Sequence, residues 1–328
     1  MKAEFSNRSF NFSDITLLIV DENEFSRSFL NHLCLTFRFG KILCAKSPAE
    51  GLNICDESKV DIIILEWADK TTGCEFFVRR LRSLEIGQNF RIPIIALATH
   101  CDVEAVGRAR DAGVTEFMTR PLAVSGLLSR LTHVFVSPRP FIRVPSYQGP
   151  DRRRRALAFD GPERRQRGSD RALAPAGNPA GLHRPGGLTV AEMTRAGQAI
   201  LQQQEESYRG IRDQDLQELF SLIRELKDAG APADRDLIER IYRKSYDLKG
   251  MGKTFDFQIL SETGDSLCNL LWKIAPEKVG TLFTIQGIEQ HAMVMRLIVD
   301  QNMKGDGGEL GIELVEGLRA IVEMAANM

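Results

Sequence analysis

The stretch Val60-Asp61-Ile62-Ile63-Ile64-Leu65-Glu66-Trp67 constrains this chain most. Ile62 to Leu65 is an unbroken apolar run with three β-branched residues. Such a run suits a strand buried on both faces, as in a parallel sheet covered by helices. The run ends in an acid, Glu66. In open α/β sheets, chemistry gathers just beyond the carboxyl ends of the strands. An earlier apolar run, Ile15–Val20, ends in a second acidic pair, Asp21-Glu22.

Around this strand, strand-like and helix-like stretches alternate from Asp14 to about Val136. Helical spacing appears at Phe25, Phe29, Leu33 and Phe37, and again at Phe77, Leu81 and Leu84. Ile42–Ala45, Ile92–Leu97 and Glu116–Met118 read as further strands. Pro48–Cys55, Asp102–Ala112 and Val124–Val136 read as helices, the first opened by a proline where its missing N–H does no harm. Five β-α units in a row predict a doubly wound α/β domain with a five-stranded parallel sheet over residues 14–136. Residues 1–13 read as a polar N-terminal tail.

From 137 to 187 the pattern dissolves into Pro, Gly and Arg. Ten arginines face four acids between Arg139 and Arg171, and the unit Gly149-Pro150-Asp151-Arg152-Arg153 recurs as Gly161-Pro162-Glu163-Arg164-Arg165. This composition buries too little apolar area to offset chain entropy, so it predicts a flexible linker. Its surplus charge suits an anionic partner: nucleic acid, lipid headgroups, or an acidic protein face, including one on the chain's own domains.

Residues 188–328 read as an all-α helical bundle. The expected helices are Thr189–Tyr208, Asp213–Ala229, Ala233–Lys253, Gln258–Lys273, Glu277–Met303 and Gly311–Ala325, with Asp234 and Gly230 as caps. The stripe Leu216, Leu219, Ile223, Leu226 keeps helical spacing.

Composition narrows the function classes. The chain has a net charge of −1 and no apolar run long enough to span a bilayer. The polar N-terminus lacks a signal core, so a cytoplasmic protein is expected. The six cysteines show no C-x-x-C spacing, which suits reduced thiols rather than a metal or disulfide frame. No P-loop, catalytic triad or kinase motif points to an independent enzyme.

The order of motifs over 14–136 resembles a response-regulator receiver domain of two-component (phosphorelay) signalling. Leu17-Leu18-Ile19-Val20-Asp21-Glu22-Asn23-Glu24-Phe25-Ser26-Arg27 resembles its opening. Asp61-Ile62-Ile63-Ile64-Leu65-Glu66 resembles the phosphoacceptor strand, and Ile94-Ile95-Ala96-Leu97-Ala98-Thr99 the switch strand. Asp111-Ala112-Gly113 through Thr119-Arg120-Pro121 resembles the final strand with its basic-Pro signature. The resemblance implies a flavodoxin-like fold, an acid pair that holds Mg²⁺, an aspartate that accepts a phosphoryl group, and a hydroxyl and a lysine that contact it.

Several positions depart from that pattern. The acceptor position is Glu66, the switch hydroxyl position is Ala98 with Thr99 one residue late, and the lysine position is Arg120. Glu carries its carboxylate one methylene farther out, and misplacement by roughly an ångström can cost about a hundredfold. Arg120 suits a fork pair with a carboxylate. The expectation is a pseudo-receiver that does not take phosphate, with a Glu66–Arg120 pair imitating the phosphorylated state. Asp21, Glu22 and Glu66 are the candidate Mg²⁺ ligands; no other cofactor is expected.

In the second half, Tyr242-Arg243-Lys244-Ser245-Tyr246-Asp247-Leu248-Lys249-Gly250-Met251-Gly252-Lys253 resembles the signature helix of a histidine phosphotransfer (HPt) domain. That family places His three residues before a Lys-Gly pair; here the position is Tyr246. Tyrosine, with a pKa near 10, is a poor acceptor at neutral pH. Tyr242, Tyr246, Lys249, Gly250 and Lys253 are expected to share one docking face, with receivers, histidine kinases or HPt proteins as partners. The competing expectations are a working phosphotransfer protein that uses Asp21, Glu66 or His291, and an Arg-rich nucleic-acid or membrane adaptor. His291 is expected on a helix surface or partly buried.

Overall fold

A computed structural model of the chain describes residues 8–67, 73–83, 90–98, 103–152, 171–173, 186–230, 234–273 and 281–327. The chain divides into two compact units, residues 1–201 and 202–328.

In the first unit the parallel sheet contains β2 (Thr16–Val20), β3 (Lys41–Ala45), β4 (Ile62–Glu66), β5 (Ile94–Ala98) and β6 (Glu116–Thr119). Their order is β3-β2-β4-β5-β6, and every pair is parallel. The helices between them are α1 (Glu24–Thr36), α2 (Pro48–Glu57), α3 (Cys74–Arg82), α4 (Val103–Ala112) and α5 (Val124–Val136). Leu18, Val20, Ile63, Leu65, Ile94 and Ala96 pack with Cys55, Phe77, Val78, Leu81 and Ala109 of α2–α4 on one face. Successive strand side chains point to opposite faces. Leu17, Ile19, Ile62, Ile64, Ile95 and Leu97 therefore face the other way, and they are fully buried too. This two-sided burial is why β4 reads as continuous apolar sequence rather than as an alternation. Strand order reverses between β2 and β4, so the crevice at their carboxyl ends is where a site is expected.

Two stretches expected to lack regular structure carry strands. The expected tail contains β1 (Ser9–Phe10), and Phe10 and Phe12 are buried. Phe12 stacks on Phe39 at 4.6 Å between ring centroids, an apolar anchor that outweighs the polar composition around it. The expected linker opens as a hairpin of β7 (Phe141–Val144) and β8 (Tyr147–Pro150), joined by β9 (Arg171–Leu173). The hairpin has a local apolar anchor in Phe141 and Tyr147, both buried. Buried Arg82 donates to Gly113 O, Phe90 O and Ile92 O, and its guanidinium lies 5.2 Å from the Phe141 ring. Arg139 pairs with Glu116 and Arg152 with Asp111. These two arginines thus meet acidic residues of the α/β domain itself. The second Gly-Pro-Glu-Arg-Arg unit lies outside the described residues.

β10 (Leu188–Thr189) pairs antiparallel with β1 and leads into α6 (Val190–Ala229). The two helices expected over 189–208 and 213–229 are one helix. The break expected between Tyr208 and Asp213 does not form, because Tyr208 and Arg212 are both buried on one face there. The unit boundary falls inside this helix rather than at residue 187.

The second unit is largely helical: the later part of α6, α7 (Arg235–Gly252), α8 (Gln258–Lys273), α9 (Leu282–Asp300) and α10 (Gly308–Asn327). Asp234 caps α7 by accepting from Asp236 N. Lys244 of α7 pairs with Asp215 and Glu218 of α6. Gly264 of α8 lies so close to α7 that a Cβ there would be 2.9 Å from Lys249 Cβ. Leu216, Leu219, Ile223 and Leu226 are all buried, as their spacing predicts.

Candidate receiver site

The crevice holds the predicted receiver residues. Asp21 immediately follows β2, Glu66 ends β4, Ala98 ends β5 and Arg120 follows β6. Asn23 caps α1 by accepting from Ser26 N, and Asp21 Oδ1 accepts from Asn23 N at 2.9 Å. These bonds fix the turn that aims Asp21 inward. Cys74 Sγ donates to Glu66 O at 3.2 Å and so ties α3 to the end of β4. Arg120 is placed by its backbone, whose N–H donates to Ala98 O at 2.8 Å.

One guanidinium nitrogen, Arg120 Nη2, gathers the site. It donates to Ser26 Oγ at 2.6 Å and to Glu66 Oε2 at 3.1 Å, and it lies 3.5 Å from Asp21 Oδ2. Ser26 Oγ donates in turn to Asp21 Oδ2 at 2.5 Å. The side chains of Arg120 and Asp21 are 1% and 2% exposed, and Glu66 is 9% exposed, so the cluster works in a low dielectric. Two carboxylates share one arginine there. Burial, and then the charge of Glu66, push the Asp21 carboxyl up to about 7 against the pull of Arg120.

Glu66 and Arg120 pair as their positions in the sequence predict. Ala98 is buried and offers no hydroxyl, and Thr99 lies outside the described residues. The Mg²⁺ set Asp21, Glu22 and Glu66 is not assembled. Glu22 is exposed, while the Arg120 guanidinium reaches both Asp21 and Glu66. Among the described residues no group of three or more His, Cys, Asp and Glu side chains could hold a metal ion. The Arg120 guanidinium already stands within 3.5 Å of both carboxylates, so the donor set does not fit Mg²⁺ in this arrangement. Ser26 is a member that sequence reasoning missed. A serine in the first turn of a helix is ordinary, and only the fold brings it to Arg120.

In the second unit the expected face splits. Tyr242 and Tyr246 stack at 6.4 Å between centroids and are half-buried. Lys249 is 3% exposed, pairs with Asp265 of α8 at 2.9 Å and lies 5.5 Å from the Tyr246 ring. Lys249 lies beside Tyr246, as residues three apart on one helix face must, but α8 packs over that part of the face and Asp265 takes up the Lys249 ammonium, so Lys249 is buried while the tyrosines stay half-exposed. Lys253 donates its backbone N–H to Ser261 Oγ. Gly250 has open space where a Cβ would be. His291 is fully buried rather than partly: Nδ1 lies 2.7 Å from Gly287 O and Nε2 lies 2.9 Å from Ser266 Oγ. The carbonyl can only accept, so Nδ1 carries the hydrogen and Nε2 accepts from Ser266. Burial pulls the His291 pKa down to about 4.

The response regulator receiver domain family matches residues 17–132. These residues form a response regulator receiver domain. The two-component response regulator-like protein PRR1 of Oryza sativa subsp. japonica is 29% identical over 127 residues, which are 38% of this chain and 24% of that protein. The cyclic di-GMP phosphodiesterase response regulator RpfG of Xanthomonas campestris pv. campestris is 26% identical over 121 residues, 37% of this chain and 32% of that protein. The chain thus spans about a third or less of the length of these relatives. Among solved structures, chemotaxis protein CheY4 of Vibrio cholerae is 23% identical, covering 37% of this chain and 98% of its own, with a TM-score of 0.33. A response regulator from Chloroflexus aurantiacus is 21% identical, covering 37% and 96%, with a TM-score of 0.34.

Proposed function

We propose that this chain is a pseudo-receiver adaptor of two-component signalling, which binds partners without accepting phosphate. The observation that carries the reading is the Arg120 guanidinium, closed onto Glu66, Ser26 and the Asp21 carboxylate in the place where receiver chemistry needs a free acceptor and a metal. Glu66 puts its carboxylate one methylene too far for in-line attack, and a paired carboxylate is a weaker nucleophile than a free one. Ala98 supplies no hydroxyl. The receiver implies two-component partners. The helical unit, read as HPt-like, would dock them through Tyr242, Tyr246, Gly250 and Lys253 without carrying phosphate. Tyr246 replaces the acceptor histidine there, and Lys249 is engaged with Asp265. His291 is too buried to meet a phosphodonor. Among the described residues no helix is long and apolar enough to cross a membrane; we place the work in the cytoplasm.

The test is incubation of the full chain with acetyl phosphate and Mg²⁺, followed by intact-mass measurement and phosphopeptide mapping. No adduct is expected on the wild type. An acid-stable, base-labile adduct on Glu66 or Asp21 would overturn the proposal, as would an acid-labile one on His291.

A further inference from the structure

The first turns of α6 lie on the receiver along a narrow strip. Between Val190 and Leu201 the buried residues are Val190, Met193 and Gly197, a single stripe at helical spacing. The stripe sits between α1 and α5. A Cβ at Gly197 would lie 2.5 Å from Val124 Cγ1 and 2.8 Å from Leu33 Cδ1. Only glycine lets the helix approach both walls so closely. Leu33 and Val124 are themselves apolar and buried, so the surface beneath the helix is an apolar groove. Its walls are the two helices that begin just after Asp21 and Arg120.

What holds the segment down is the N-terminal arm. Ser9 and Phe10 pair with Thr189 and Leu188, and Val190 N donates to Arg8 O at 3.1 Å. A Cβ at Gly187 would lie 2.6 Å from the backbone of Phe10. Phe10 and Phe12 anchor the arm beside Phe39 and Phe135. A capping box closes the start of the helix: Thr189 N donates to Glu192 Oε2, and Glu192 N donates to Thr189 Oγ1. These bonds, with Arg195 and Arg38 nearby, hold the Glu192 carboxyl below the usual range. A two-residue ladder and a three-residue stripe are each weak alone, since short two-stranded pairings are marginal in water.

We propose that residues 188–201 are a removable cover over a helix-binding groove between α1 and α5, filled in cis and latched by the arm Arg8–Phe12. A partner that takes the groove would present an amphipathic helix with a small residue where Gly197 sits. This inference does not depend on the phosphoryl chemistry of the pocket.

The experiment uses the full chain and two variants that act from opposite sides. Gly187→Val drives a side chain into the Phe10 backbone and opens the latch. Gly197→Glu lifts the helix off the groove and leaves the arm in place. Hydrogen exchange by mass spectrometry should accelerate by about tenfold or more over 188–201 in both variants. Residues 9–12 should keep their protection in Gly197→Glu. A labelled synthetic peptide of residues 187–201 should bind both variants at least about tenfold more tightly than it binds the wild type, whose groove is filled. Unchanged exchange over 188–201 in Gly187→Val would overturn the proposal. So would failure of Gly197→Glu to take up the peptide. Loss of protection throughout β2, β4 and β5 in either variant would make arm and cover part of the receiver's core, and would overturn it as well.

Discussion

Replacing Asp21 by asparagine should stabilise the receiver, although it removes a partner from a buried ion cluster. Arg120 can neutralise one of the two carboxylates beside it, and Asp21 responds by rising from an ordinary 3.8 to about 7. Between those two values the folded chain keeps a proton that the unfolded chain has released. Raising the pH through that window therefore destabilises the folded state, and above it the whole penalty is present. A rise of that size corresponds to about 4 kcal/mol, and relaxation of the surroundings around a buried charge brings the expectation to about 2–4 kcal/mol. Asparagine cannot ionise, keeps Oδ1 to accept from Asn23 N, turns an NH₂ donor toward Ser26 Oγ where Asp21 has its second oxygen, and leaves Arg120 with Glu66. The difference between Asp21→Asn and wild type should be near zero at about pH 4, grow through the window and level off by about pH 8. Urea unfolding at each pH measures it. The emission of Trp67, 5% exposed beside Glu66, reports the receiver in a Trp272→Phe background, since Trp272 is 61% exposed in the other unit. If Asp21→Asn destabilised the protein equally at every pH, Arg120 would need both charges, and the reasoning would be wrong.

Further outcomes follow from the same geometry. Arg120→Met leaves two buried carboxylates without a cation and should cost about 3–5 kcal/mol near neutral pH in urea unfolding, with partial recovery in acid. Arg120→Lys should cost less, because the charge stays while the contacts to Ser26 and Glu66 weaken. In a histidine NMR titration, the ring signal of His291 should stay flat through neutrality and move only near about pH 4. His291 binds fewer protons folded than unfolded between 6.5 and about 4, so its contribution of up to about 3 kcal/mol is present above 6.5 and is lost as pH falls through that window. Gly264→Ala would set a Cβ 2.9 Å from Lys249 Cβ and 3.0 Å from Ser245 O, and should lower the stability of the helical unit by about 1–3 kcal/mol in thermal melts. Gly250→Ala meets nothing within 4 Å and should raise it by up to about 1 kcal/mol in the same melts.

The receiver is legible in the sequence because its signals are local. Five apolar runs of strand length, separated by helical spacing, leave few topologies once right-handed crossovers are required. Asp21, Glu66 and Arg120 stand at strand ends, where the sheet topology itself points to a site. The apolar face of the later part of α6 in the helical second unit is legible through Leu216, Leu219, Ile223 and Leu226. Properties that depend on what lies beside a residue, not on its spacing, are not legible. Ser26 reads like any helix-start serine, yet the fold carries it across 94 positions of sequence to Arg120. Lys249 reads as a surface cation, but Asp265 of the next helix pairs with it and it is buried. His291 reads as a helix-surface or partly buried histidine, but it is fully buried and Gly287 and Ser266 use both its nitrogens. The arm at Phe10 and the hairpin at Phe141 sit in polar, Arg-rich sequence, where composition argues for disorder. Each is held by one or two aromatic side chains whose partners lie far along the chain, such as Phe39 for Phe12 and Arg82 for Phe141. Periodicity fixes which face of an element is apolar; only the packed structure decides which apolar and charged groups find one another.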